Sequence, residues 1–178
     1  MIDPAIGTLL SGAFALLFAS AAFHKARHFA HFAAVFRAYR LVPPALPLAA
    51  FVPILELSVA AGLLLPVARP AAAVTGAALL LLYASAIGVN LLRGRHDLSC
   101  GCGGPDERRP IAAWMLVRNL LLAALLGAAA LPWATRALQG ADFLTVAAGM
   151  AVAGLLYMSA DRLLGQVAPR SASWGDAP

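Results

Sequence analysis

Residues 71–92 read AAAVTGAALLLLYASAIGVNLL, an uncharged apolar run. A helix needs about 20 such residues to cross the hydrocarbon core of a bilayer, so this one stretch fixes the solvent in which the fold is to be read. Runs of the same kind lie on either side: Pro4–Phe23, Pro47–Leu65, Ile111–Leu131 and the Ala- and Gly-rich Phe143–Leu164. Proline punctuates them at Pro66, Pro70, Pro110 and Pro132, and Asp3-Pro4 reads as a cap and first turn. The expectation is an all-α polytopic transmembrane helix bundle, with four core helices within 4–131 and a fifth over 143–164.

Composition agrees. Of 178 residues, 62% are hydrophobic and only 12% charged, with a mean hydropathy of +0.83. A water-soluble domain of this size cannot hide that much apolar surface. The length suits one bundle domain over 1–168, followed by a short Ser-, Ala- and Gly-containing tail, 169–178, that reads as disordered. The net charge of +5 comes from cations placed between the apolar runs, which fits topology signals and lipid headgroups. With no basic stripe or aromatic platform, nucleic acid is set aside as a partner. The first run lacks the basic leader and cleavage site of a secretory signal and is read as a retained helix.

The connections alternate in length. His24–Pro44 and Arg93–Pro110 are long, while Pro66–Pro70 and Leu131–Asp142 are short. Successive connections alternate sides, so the two long ones face one compartment. In the first, Phe29, Phe32, Val35, Phe36 and Tyr39 interleave with His28, His31, Arg37 and Arg40, the pattern of an amphipathic interfacial helix. The second carries the chain's two cysteines. Most cations share that side: Lys25, Arg27, Arg37, Arg40, Arg93, Arg95, Arg108 and Arg109, joined by Arg162 and Arg170 if the fifth helix crosses. Arg69 and Arg136 lie opposite. The positive-inside rule would put the cysteines in the cytoplasm.

Cys100-Gly101-Cys102, followed by Gly103-Gly104-Pro105, is the main chemical signal. Two thiols so close meet only where the backbone bends, which Gly101 permits. A disulfide over so small a ring is strained, and strained, exposed disulfides are oxidising and labile. Nearby cations favour the reactive thiolate. A soft-metal site for Cu(I) or Zn(II) is the alternative, with His96 four residues before Cys100 as the third ligand; a fourth, from His24, His28 or His31, would have to come through folding. Inert cysteines in a non-catalytic assembly subunit are a third reading. Glu56 stands near the middle of the second span, where a carboxylate has to be protonated, paired or turned to a polar cavity. Lys25 and Arg118 are its candidate partners, and proton transfer during thiol chemistry is the functional reading. Asn90, Arg118 and Asn119 lie toward the cysteine-side ends of their spans and could line a polar pocket below the loop; Arg118 could equally snorkel to headgroups.

Several of these stretches together resemble one family: Phe23-His24-Lys25, Tyr39-Arg40-Leu41-Val42-Pro43, Leu55-Glu56-Leu57, Asn90-Leu91-Leu92-Arg93-Gly94-Arg95, Cys100-Gly101-Cys102-Gly103-Gly104 and Arg118-Asn119-Leu120. The chain is similar to the methylamine-utilisation MauE family, within the broader DoxX-like membrane proteins, over roughly Gly7–Leu131. The resemblance implies a multi-pass protein of the bacterial inner membrane, tied to redox maturation of a disulfide-rich periplasmic partner. For that family the implied client is the light subunit of methylamine dehydrogenase, with a thioredoxin-like companion, MauD. With that reading the candidate site is Cys100 and Cys102 as the redox pair, with Lys25, Glu56, Asn90, Arg118, Asn119 and His24 in support. Quinone-linked relatives suggest a membrane quinone as electron acceptor. A periplasmic client also argues for periplasmic cysteines, against the charge count, and both orientations stay open.

Overall fold

The computed structural model describes residues 2–41, 46–98 and 110–167, with side chains as far as residue 164. Six helices follow in order: α1 (Pro4–Arg27), α2 (Phe29–Ala38), α3 (Leu46–Leu64), α4 (Arg69–Leu92), α5 (Ala113–Ala129) and α6 (Gly140–Val167). The five expected spans and the amphipathic segment are all helical, and the described residues contain no strand beyond one isolated bridge. The tail 169–178 and the Cys100/Cys102 pair lie outside the described residues.

α1, α3, α4 and α6 are long and apolar enough to cross a membrane. The balance between the last two helices differs from the sequence expectation. α5 is shorter than Ile111–Leu131, because 111–112 and 130–131 fall outside the helix, whereas α6 extends beyond Phe143–Leu164 at both ends. Extended backbone at Ala112 delays the start of α5, and Pro132 follows its end. The Ala and Gly content of α6 lowers its apolarity without shortening the helix.

The core is a four-helix packing of α1, α3, α4 and α5. Phe14 and Phe18 from α1, Val59 and Leu63 from α3, Leu79 and Leu80 from α4, and Leu126 from α5 form one buried cluster. Where a bundle is surrounded by lipid, association depends on close contact rather than on expelling water, and small residues permit it. Gly76 is the tightest such point. A Cβ there would sit 2.7 Å from Leu126, 2.9 Å from Val59 and 3.1 Å from Phe18, one residue from each of the other three helices. α6 packs against α1, where Gly12 faces Met150 and Gly149 faces Leu9, and leaves most of its surface outward. Leu82, Leu121, Leu155 and Leu156 are all at least 60% exposed, a surface suited to acyl chains and not to water.

The end of the bundle away from the cysteines is clasped by polar groups. Asp3 caps α1 by accepting from the Ala5 amide at 2.8 Å, and its carboxylate also pairs with Arg136 at 2.9 Å. Arg136 bridges on to Asp142, in the first turn of α6, at 2.6 Å. The Arg69 guanidinium lies 3.1 Å from the centroid of the Trp133 ring, and Ile2 pairs with Trp133 through the isolated bridge. These contacts tie the N-terminus and the start of α4 to the α5–α6 connection.

A buried ion pair and an aromatic cavity at the cysteine end

Four connected features occupy the other end of the bundle. The first is an ion pair. Lys25, in the last turn of α1, donates to Glu56 Oε1 of α3 at 2.6 Å, and the two side chains are only 5% and 1% exposed. Tyr83 of α4 donates its hydroxyl to the same oxygen at 2.7 Å. Glu56 Oε2 has no hydrogen-bond partner among the described residues. The Lys25 ammonium also lies 5.7 Å from the Phe32 ring centroid and 5.4 Å from that of Tyr83. Aromatic faces attract a cation, and more strongly where water is excluded. Three helices and α2 thus converge on one charge pair.

The second feature is a cavity of about 110 Å³ beneath α2. Phe32 and Phe36 from α2, Tyr39 at its C-terminal cap, and Tyr83 and Ile87 from α4 form its walls, and Lys25 stands in its lining. Residues 29–38 are helical because their apolar side chains recur at helical spacing, and Phe32 and Ala33 bury that stripe against Ala49 of α3.

The third feature is a latch. Gly94, at φ +71°, ends α4 in the left-handed conformation that glycine adopts without penalty. The Arg95 amide then returns to the Asn90 carbonyl at 3.0 Å and the Gly94 amide to the Leu91 carbonyl at 3.0 Å, the paired bonds of a Schellman cap. This turn sends Arg95 back across the bundle. Its guanidinium donates to the carbonyls of Ala38 at 2.7 Å and Tyr39 at 3.5 Å, and to Asn90 Oδ1 at 3.0 Å. The C-terminal carbonyls of α2, which no helical amide can reach, are therefore held by the residue five positions before Cys100.

The fourth is the base of the cysteine segment. Ile111 donates its amide to the Leu98 carbonyl at 2.8 Å, closing the two ends of the intervening chain. Leu98 and Ile111 are buried with Ile87 and Met115, and Ala38 and Tyr39 pack on the same cluster. Ile87 and Tyr39 also line the cavity, so the cavity wall and the anchor of the cysteine segment are one packed unit.

Of the two partners considered for Glu56, Lys25 takes the position. Arg118 pairs instead with Asp161 of α6 at 2.5 Å, with Trp114 and Tyr157 flanking it, and so fastens α6 to α5. Asn90, Arg118 and Asn119 make separate contacts among the described residues. Asn90 is fully buried and bonds to the Ala86 carbonyl and Arg95, while Asn119 is buried with its Nδ2 unpartnered among the described residues. His24 is exposed and meets Phe23 edge-on, so it does not join Lys25 and Glu56 although it is the adjacent residue. His96 is exposed, and no group of three His, Cys, Asp or Glu residues is close enough to hold a metal among the described residues. Sequence reasoning missed Tyr83, Asp161 and the bridging role of Arg95. Tyr83 and Asp161 each had a signal, as a hydroxyl and a carboxylate inside otherwise apolar spans.

Comparison with known proteins places the chain in a family. A family model described as "Methylamine utilisation protein MauE" matches residues 3–134, which takes in α1 to α5. The chain is similar to proteins of that name from Paracoccus denitrificans (39% identical, covering 97% of this chain and 95% of the relative) and Methylophilus methylotrophus (37%, covering 92% and 88%). The Paracoccus versutus protein of the same name is 41% identical, covering 92% of this chain and 89% of the relative. No solved structure matches significantly. Similarity therefore extends beyond Gly7–Leu131 to most of the chain.

Proposed function

The chain belongs to the methylamine utilisation protein MauE family, and on that premise we propose that it serves methylamine utilisation as a thiol-disulfide redox protein of the bacterial inner membrane. Cys100 and Cys102 cycle between dithiol and disulfide. In the forward step a client dithiol is oxidised to its disulfide while the Cys100–Cys102 bond is reduced, so two electrons and two protons move together. The client is a periplasmic protein such as an amine dehydrogenase light subunit, and a thioredoxin-like protein of the MauD kind is the exchange partner.

What supports this reading is that the only two cysteines lie in the connection from α4 to α5, and that this connection is anchored beside the Lys25–Glu56–Tyr83 cluster. A thiol reacts as its thiolate, so a redox pair gains from a neighbouring group that accepts and returns protons. Glu56 Oε2 is the acceptor in this scheme, and Lys25 and Tyr83 hold the carboxylate in place through Oε1. Arg95 and Asn90 position the segment, while Arg118, through Asp161, keeps α6 on the bundle.

The experiment is client maturation in cells carrying Cys102→Ser, Cys100→Ser or both, with membrane levels of the protein verified. Loss of client disulfides in each variant supports the assignment. Full maturation in the double variant would leave a non-catalytic assembly role instead.

A further inference from the structure

We infer that the cavity beneath α2 and the arginines at its rim form a binding site for one anionic glycerophospholipid. The end of an acyl chain enters the cavity, and the headgroup phosphate rests on Arg40 and Arg37. No residue of the cysteine segment takes part, so the site is independent of the thiol chemistry proposed above.

The interior calls for hydrocarbon. Phe32, Val35, Phe36, Val52 and Ile87 face a space of about 110 Å³ that offers water almost no polar partner. The Lys25 ammonium in the lining is already answered by Glu56 and by the Phe32 and Tyr83 rings, so it asks nothing of an occupant. Dry cavities of about this size take up small hydrocarbons, and this one has room for a few carbons of a chain. It is also open at the side. Val52 and Ala86 are half-buried and Leu41 is exposed, and all three stand in the lining. Leu82 and Val89, one turn either side of Ala86 on the same face of α4, are exposed, as is Leu48, one turn before Val52 on α3. The mouth therefore opens on acyl chains rather than on water.

The rim is cationic. Tyr39 and Leu41 both line the cavity, and Arg40 between them takes φ +50°, a left-handed turn that a residue with a Cβ adopts at a cost. The turn lets its two neighbours face the cavity while the Arg40 side chain stands exposed. Arg37 follows Phe36 of the lining, is likewise exposed, and donates its Nε to the Ala33 carbonyl at 3.3 Å. Arg27 and Arg93 are exposed at the same end of the bundle, and Asp97 is the only exposed carboxylate among the described residues. An apolar mouth beside two guanidinium groups matches the two halves of an anionic phospholipid. Phosphate oxygens accept charge-assisted hydrogen bonds from the forks, and the net negative charge sets this headgroup apart from a zwitterionic one, whose own cation the arginines repel.

The test is native mass spectrometry of the full-length protein, delipidated in detergent and titrated with dioleoylphosphatidylglycerol or dioleoylphosphatidylcholine. One phosphatidylglycerol should be retained, about fivefold or more tightly than phosphatidylcholine. Arg40→Gly keeps the left-handed turn without its cost and removes one cation. It should weaken phosphatidylglycerol about fivefold and leave phosphatidylcholine unchanged, in a protein no less stable than the parent. Ala86→Phe fills the cavity from α4 and should weaken both lipids about tenfold or more, while the outward-facing Ser85→Phe should change neither. Glycerol phosphate at millimolar concentration should not displace the lipid, since it brings no chain. Equal retention of the two lipids, uptake without a one-to-one step, or displacement by glycerol phosphate (a free-phosphate site) would each overturn the inference. So would an affinity indifferent to Arg40→Gly, or to Ala86→Phe in a protein of unchanged melting temperature.

Discussion

Replacing Lys25 with Met removes the cation but leaves Glu56 where it is, 1% exposed in the wall between α1, α3 and α4. Taking one partner from a buried ion pair costs about 3–5 kcal/mol, because the remaining charge has neither water nor counter-ion. That corresponds to roughly two to three and a half orders of magnitude in the folding equilibrium. Glu56→Gln in the same background removes the stranded charge and keeps an acceptor for the Tyr83 hydroxyl. The double variant Lys25→Met/Glu56→Gln should therefore recover to within about 1 kcal/mol of the parent, since neutral replacement of a buried pair is often tolerated. Unfolding by SDS in mixed micelles, followed by circular dichroism, gives the four corners of the cycle. A coupling energy of about 2 kcal/mol or more is expected for side chains in direct contact. Independent, additive effects of the two substitutions, or a loss below about 1 kcal/mol for Lys25→Met alone, would refute the buried pair as the organising contact of this end of the bundle.

Three further outcomes follow from particular contacts. Gly76→Ala should destabilise by about 1–3 kcal/mol in the same unfolding assay, because Leu126, Val59 and Phe18 leave no room, whereas Gly127→Ala, which meets nothing within 4 Å, should be neutral or slightly stabilising. Arg95→Met frees the α2 carbonyls and forfeits bonds worth about 1.5–3 kcal/mol, so amide exchange in α2 should quicken about 10- to 100-fold by mass spectrometry, with α4 unchanged. At the opposite end, hydrogen bonds from Arg136 and from the Ala5 amide hold the Asp3 carboxyl below its ordinary value, and Arg136 itself is pushed upward. A carboxylate with a depressed folded pKa contributes stability above its unfolded pKa and loses it as the pH falls through the folded value, so the clasp should open only below about pH 4. Asp142, held below its ordinary value by the same guanidinium, contributes in the same sense, so Asp3→Asn should shrink the acid-dependent step in a melting-temperature profile and Asp3→Asn/Asp142→Asn should abolish it.

Much of the architecture was legible because a bilayer imposes a length requirement that apolar runs either meet or fail. Residues 71–92 met it plainly, and the pattern of Phe29, Phe32, Val35 and Phe36 disclosed α2. The ends of α5 and α6 were less legible, since the extended residue Ala112 and the Gly140 start depend on local backbone geometry rather than on hydropathy. Glu56 announced itself by the cost of a carboxylate in an apolar helix, and Lys25 was one of two named partners. Choosing between Lys25 and Arg118 required the packing, because the competing partner of Arg118, Asp161, lies on α6, far from both in sequence. The cavity had no linear signature: its walls come from α1, α2, α3 and α4, and none of those segments contains it alone.

The central claim is that Cys100 and Cys102 form a redox couple, and trapping their state in intact cells tests it most directly. Cells are treated with a membrane-impermeant maleimide before and after mild reduction, and the whole protein is weighed. These are the chain's only cysteines, so each label reports on the pair. The account predicts no label before reduction and two afterwards, with the reaction occurring from the periplasmic side. Two labels acquired without any reductant would show standing free thiols and contradict it.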